Sequence, residues 1–153
     1  MAIKTGSKVH LRSCNDNDFS ARYTGIVEAL THMPDETVID GEVVALDEGG
    51  RPSFNSMQNY GSTGAPLGFF IFDVLILNGK DVMGDRLMRR RELIEEDVLP
   101  KLAEPIRYSP ILGATLGALI QSVKAQGLEG LVAKRRDSKY EPGQRSGRGR
   151  KCA

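Results

Sequence analysis

Tryptophan is absent, and only two cysteines and two histidines occur in 153 residues. Cys14 and Cys152 lie at opposite ends of the chain, which gives neither a disulfide framework nor a C-x-x-C metal site. His10 and His32 stand alone and read as solvated side chains rather than ligands. No apolar run approaches the roughly 20 residues needed to cross a bilayer. The opening Met1-Ala2-Ile3-Lys4 lacks the apolar core of a signal peptide. The expectation is a cytoplasmic chain with no membrane partner. No internal repeat is found, and the glycines of SGRGRK near the end do not follow the G-x-x-x-x-G-K-[ST] order of a phosphate loop. The length is that of a single domain with room for a real core.

Charge is balanced overall and uneven locally. The net charge is +1, yet Lys134 to Lys151 holds eight Lys or Arg against two acids. A basic stretch of that kind contacts phosphates without sequence preference and with salt-sensitive affinity, unless it serves only as a solubilising tail.

Three β-rich segments carry acids or aromatics in informative places. In Gly127–Tyr140 (GLEGLVAKRRDSKY), Leu131, Val132 and Ala133 read as a short buried strand with Glu129 before it and Lys134-Arg135-Arg136 after it. Along such a strand Glu129 and Lys134 are about 15–20 Å apart, at about 3.3 Å per residue, and start on opposite faces. That spacing suits an extended polyanion better than a salt bridge. In Val38–Leu46 (VIDGEVVAL), Asp40 and Glu42 sit mid-strand before the turn signal Asp47-Glu48-Gly49-Gly50. Acids in β-runs are rare unless paired, metal-bound or facing water, so two such runs suggest carboxylates converging on a cation. Mg²⁺ suits this, because it usually takes one or two carboxylates and fills the rest with phosphate and water. The third segment, Leu67–Val82, is nearly continuous in apolar residues around one Asp73, and Asn78-Gly79 is a strong hairpin signal.

The coarse reading is α+β: antiparallel β-sheets flanked by helices, without regular βαβ alternation. Strands are expected at Lys8–Ser13, Val38–Asp47, Leu67–Leu77, Ile106–Ser109 and Leu128–Arg135. Helices are expected from a cap at Asp18 or Ser20 through Leu30, at Ser53–Asn59, at Arg86–Val98 with Arg90-Arg91 on a basic face, and at Thr115–Gln126.

DGEVV (Asp40–Val44), FFIFDVLILNG (Phe69–Gly79) and EGLVAK (Glu129–Lys134) occur in the order and at the spacing of the collinear motifs of covalent nucleotidyltransferases. Together with PSFNSMQ (Pro52–Gln58), LMRRRELIE (Leu87–Glu95) and RRDSKYEPGQRSG (Arg135–Gly147), they resemble ATP-dependent DNA ligases, in particular the bacterial end-joining branch. The resemblance covers essentially the whole chain. It implies the ligase nucleotidyltransferase (ATP-grasp-like) domain, with ATP and Mg²⁺ or Mn²⁺ as cofactors and nicked or broken double-stranded DNA as partner.

Residue by residue, the resemblance implies metal-associated carboxylates at Glu42 and Glu129 and a base-stacking aromatic at Phe72. It implies phosphate-facing catalytic cations at Lys134 and Lys151, which stabilise adenylyl transfer electrostatically. Arg135, Arg136, Arg145, Arg148 and Arg150 are the implied DNA contacts.

The chain departs from the family pattern in four respects. No K-x-D-G string, which holds the family's lysine nucleophile, occurs anywhere. Ser13-Cys14-Asn15 stands where a Ser-Arg-Asn triplet is usual. The end, Gly149-Arg150-Lys151-Cys152-Ala153, keeps one lysine of a W-x-K-x-K pattern. Residues 1–147 thus correspond to an adenylation domain lacking the nucleophile motif and incomplete at its N-terminus. Residues 148–153 correspond to the start of the final motif, without the OB-fold domain. Inactivity of this chain alone and self-association through an exposed sheet edge are expected. Other readings are a non-catalytic nucleotide- or DNA-binding remnant and a related RNA ligase or capping-type nucleotidyltransferase.

Overall fold

The structure is a computed structural model that describes residues 1–53, 64–128, 130–142 and 149–152. Its centre is an antiparallel meander. Strands β1 (Ala2–Thr5) and β2 (Lys8–Leu11) form a hairpin that turns at Gly6, where φ is +59°. After helix α1 (Thr24–Leu30) come the long strands β3 (Thr37–Ala45) and β4 (Leu67–Leu77) and the short β5 (Lys80–Asp81). Helix α2 (Leu87–Leu93) runs on through a π-turn at Ile94–Val98 and a 3₁₀ turn at Leu99–Lys101. Pro100 lacks the N–H that a regular α-helix would need there. Strand β6 (Ile106–Tyr108), helix α3 (Leu116–Ala125), and strands β7 (Leu131–Lys134) and β8 (Gly149–Cys152) follow. The main sheet has the order β2-β1-β3-β4-β5, with β6 added to β4, while β7 and β8 form a separate two-stranded sheet.

The expected α+β plan holds, with one exception to antiparallel pairing: β6 runs parallel to β4. Ile39, Phe69, Ile71 and Val74 of the sheet pack with Ile26 and Leu30 of α1 and Ile94 and Val98 of the π-turn in one apolar cluster. The Asn78-Gly79 turn forms as its sequence predicts, with φ of +51° and +79°. Asp47 closes the other predicted turn by accepting the Gly49 and Arg51 N–H groups through Oδ1.

Core residues along β4 are spaced 69, 71, 74 and 77, so the strict alternation of a flat strand is broken twice. The cause is in the ladder with β3. Val38 pairs with Ile76 and Ile39 with Val74, which skips Leu75; Asp40 pairs with Asp73 and Gly41 with Ile71, which skips Phe72. Each skipped residue is a β-bulge, and bulges re-aim side chains. Gly41 stands at the second bulge because nothing larger fits there. A Cβ at this position would lie 2.6 Å from the Phe69 ring and 2.6 Å from the Phe70 carbonyl oxygen.

Three local expectations are corrected, and two strands are added. The helix expected from Asp18 or Ser20 begins only at Thr24. The polar residues before it brace β2 instead: Asp18 Oδ1 accepts the Ser20 N–H, Ser20 Oγ accepts the Leu11 N–H, and Phe19 N–H donates to the Leu11 carbonyl. The β1 and β8 strands were not foreseen. The apolar triplet Leu131–Ala133 is not a buried strand. Leu131 is half-buried, but Ala133 is exposed and Val132 is 62% exposed, because β7 pairs only with β8 among the described strands. Arg90 and Arg91 are buried rather than displayed on a basic face. Of the expected Ser53–Asn59 helix, all but Ser53 lies outside the described residues. No helix among the described residues is long and apolar enough to cross a membrane.

Candidate functional site

The second bulge decides what the sheet presents opposite its core. Phe72 has no partner on β3 and is half-buried, whereas its neighbour Asp73 is 1% exposed. The Nζ of Lys134, from β7, lies over the Phe72 ring at 4.8 Å from its centroid, close enough for a cation–π contact. A lysine of one sheet therefore meets an aromatic of the other.

The strand β3 brings acids alongside. Asp40 is cross-strand partner to Asp73, and Glu42 to Phe70, with Glu42 exposed and Asp40 half-buried. The Phe70 ring lies under the Arg107 guanidinium at 5.8 Å. The carboxylate of Asp40 is engaged on both oxygens: Oδ1 accepts the Gly41 N–H at 3.1 Å, and Oδ2 accepts the Tyr140 hydroxyl at 3.3 Å. Burial pushes the Tyr140 phenol up to about 12, and the negative charge of Asp40 adds to the effect. Tyr140 is therefore held as a donor.

The segment after β7 is fixed to this face by a compact turn. Ser138 donates both its N–H and its hydroxyl to the Arg135 carbonyl. Arg135 pairs with Asp137 at 3.1 Å, which lowers the Asp137 carboxyl below the usual carboxylate range. Helix α2 has no side-chain cap, and its first N–H groups find acceptors in this turn: Leu87 donates to the Ser138 carbonyl and Met88 to the Arg136 carbonyl. Arg90 completes the junction with a bidentate pair to Asp73, 2.7 Å from Nε to Oδ1 and 3.0 Å from Nη2 to Oδ2.

Of the residues expected from sequence, Phe72 and Lys134 are brought together, with Glu42 two residues along β3 from Asp40. Lys151 and Arg150 lie on β8, opposite Val132 and Ala133. Arg135 and Arg136 belong to the exposed turn, and the guanidinium of Arg135 is occupied by Asp137. Glu129, Arg145 and Arg148 lie outside the described residues. No group of three His, Cys, Asp or Glu side chains converges as a metal cage among the described residues. One exposed carboxylate at Glu42 still fits Mg²⁺, which takes few protein ligands when phosphate oxygens supply the rest.

Sequence reasoning missed the roles of Asp73, Arg90 and Tyr140. A signal existed for the first two. A lone acid inside an apolar run demands a buried cation, and LMRRREL offers three consecutive arginines on an expected helix, so that at least one faces inward.

An aromatic ring, a cation over it and carboxylates along the neighbouring strand are the kinds of group that a nucleotide site uses. Comparison with known proteins narrows the class. A family profile described as "ATP dependent DNA ligase domain" matches residues 1–151, and the chain belongs to that family. The multifunctional non-homologous end joining DNA repair protein LigD of Mycobacterium tuberculosis is 37% identical over 138 residues, 90% of this chain and 18% of that protein. The crystal structure of the ligase domain from M. tuberculosis LigD superposes with a TM-score of 0.79 at 33% identity, covering 98% of this chain and 48% of that one. A mycobacterial DNA ligase D complexed with ATP and MES gives a TM-score of 0.80 at 34% identity, with 98% of this chain and 49% of that one covered. The chain thus spans about half the solved ligase domain and under a fifth of the curated relative.

Proposed function

We propose that the face around Phe72 and Lys134 binds the adenine and phosphates of ATP, as part of an adenylating enzyme that seals nicked or broken duplex DNA. The observation that carries the reading is the Lys134 ammonium 4.8 Å from the Phe72 ring centroid, which sets a phosphate-seeking cation beside a stacking surface. The likeness to a relative complexed with ATP supports it. In this reading Phe72 stacks on the base, and Lys134 and Lys151 meet the phosphates. Glu42 and Glu129 face Mg²⁺ or Mn²⁺, which would neutralise phosphate charge when bound. The basic residues Arg135, Arg136, Arg145, Arg148 and Arg150 contact the DNA backbone.

The whole reaction balances as three transfers. A lysine nitrogen forms a bond to the α-phosphorus as pyrophosphate leaves. A 5′-phosphate oxygen of DNA then takes the AMP and frees the lysine. Finally the 3′-hydroxyl attacks that phosphate and AMP departs. The first transfer needs a lysine nucleophile, and a second reading is a domain that binds nucleotide or DNA without the covalent step. The location is cytoplasmic in both readings, and self-association through an open sheet edge accompanies either.

Titration of the chain with ATP tests the binding. One stacked ring and a few exposed cations, less the cost of ordering, correspond to a dissociation constant of about 40 µM to 1 mM. Failure to bind at millimolar ATP rejects the site. Intact mass after incubation with ATP and Mg²⁺ separates the two readings, since a stoichiometric AMP adduct excludes the non-covalent one.

A further inference from the structure

Two consecutive arginines of α2 reach two consecutive residues of β4. Arg90 is 1% exposed and Arg91 8% exposed. Beyond its pair with Asp73, Arg90 donates from Nη1 to the carbonyls of Asp85 at 2.6 Å and Ser138 at 3.1 Å. Four of its five N–H groups are thereby committed. Arg91 donates from Nη1 to the Phe72 carbonyl at 3.2 Å and from Nη2 to the Ser109 carbonyl, and its guanidinium lies 4.8 Å over the Tyr108 ring.

Any buried guanidinium needs acceptors, but the particular acceptors are informative. Phe72 is the residue that the β3–β4 ladder skips, and Arg91 takes its carbonyl. Ser138 ends the turn that follows Lys134, and Arg90 takes its carbonyl. Arg91 is thus tied to the ring side, whereas Arg90 spans from Asp73 on the same strand to the turn on the cation side, and only its contact with the Ser138 carbonyl reaches that turn. Lysine, a point charge with rotatable donors, cannot hold a carboxylate and two divergent carbonyls at once as a planar fork does.

We infer that Arg90 and Arg91 are positioning residues with divided roles: Arg91 fixes the aim of Phe72, and Arg90 fixes the turn that carries Lys134 over it. Neither touches the nucleotide. The inference rests on the ATP reading above and goes further by assigning each half of the ligand its own support.

The test compares adenosine, which has the base and no phosphates, with ATP on Arg90→Lys, Arg91→Lys and the unaltered chain. Arg90→Lys weakens ATP about tenfold, the equivalent of one lost charge-assisted contact, and leaves adenosine within about twofold. Arg91→Lys weakens adenosine and ATP by the same factor. Lys134→Met added to Arg90→Lys costs less than Lys134→Met alone, since the cation is already misplaced. If Arg90→Lys does not fold, Ser138→Ala loosens the same turn by removing its hydroxyl bond to Arg135 and weakens ATP selectively. Equal losses for both ligands in both variants overturn the division, as does unchanged ATP affinity in Arg90→Lys or, where that variant does not fold, in Ser138→Ala.

Amide hydrogen exchange reads the same division without ligand. Arg90→Lys, or Ser138→Ala in its place, loses protection at Leu87, Met88 and Tyr140, whose N–H groups meet or neighbour the turn. Arg91→Lys loses it at Ser109, which donates to Ile71. Loss at the same amides in both variants overturns the inference. Absence of ATP binding in the unaltered chain, with the exchange pattern divided as stated, rejects the ATP reading and leaves the divided anchoring standing.

Discussion

The Lys134 ammonium and the Phe72 ring face one another across two different sheets, 4.8 Å apart. In the ATP reading, a base stacking on that face would take the place of the ammonium and turn it toward the phosphates that the base carries. Base–aromatic stacking contributes about 1–3 kcal/mol, so Phe72→Ala should weaken ATP by roughly 5- to 150-fold. Phe72→Trp should retain binding and, in a chain without other tryptophans, report it by fluorescence. Unchanged affinity in a folded Phe72→Ala variant rejects the stacking role.

The Asp73–Arg90 pair is a stability element as well as a junction. Both side chains are 2% exposed, and removing one partner leaves the other charge buried without compensation. Asp73→Asn is expected to lower the unfolding free energy by about 3–5 kcal/mol, measured by urea titration. A loss under about 1 kcal/mol, the size of an exposed pair, contradicts the buried geometry.

Gly41→Ala should destabilise by about 1–3 kcal/mol, because the added methyl group meets the Phe69 ring and the Phe70 carbonyl at distances that force movement. Gly25→Ala is the control, since a Cβ there meets nothing within 4 Å. Equal stability of the two variants refutes the close approach.

Alkaline stability should carry the mark of Tyr140. Its folded value is raised from 10.0 to about 12, so the folded state holds the proton more tightly than the unfolded chain. The contribution is fully present below the unfolded value and is lost as pH rises from about 10 through about 12. Tyr140→Phe has no proton to lose and should show a shallower decline over that window than the unaltered protein, by denaturation midpoint against pH. Parallel curves exclude the shift.

Much of the meander was legible because its signals are local. The β-runs at β3 and β4 and the turns at Asp47–Gly50 and Asn78-Gly79 need only neighbouring residues to be recognised. The apolar run of β4 gave no clean alternation because its two bulges change the phase of the strand, which a periodicity reading cannot place. Leu131–Ala133 departs from its expected burial for the opposite reason: apolar composition says nothing about whether a second face arrives to cover it. Arg90 and Arg91 looked like a basic face because their acceptors lie on strands and turns distant in sequence. Motif resemblance implies a role for Phe72 and one for Lys134, but not that the two side chains meet. Gly41, the residue that lets the strands close behind Phe72, was visible only as half of an Asp-Gly pair.

The separateness of the two sheets has a mechanical consequence. Phe72 and Lys134 are far apart along the chain, and among the described residues the 135–140 segment ties the β7–β8 sheet to the rest through Leu87, Met88, Met83 and Asp40. A molecule held by both would act as a non-covalent crosslink that closes a long loop. Its grip would resist separation of the sheets more than the melting of either alone, and the seam between them would then be the part of the molecule whose opening a bound nucleotide slows most.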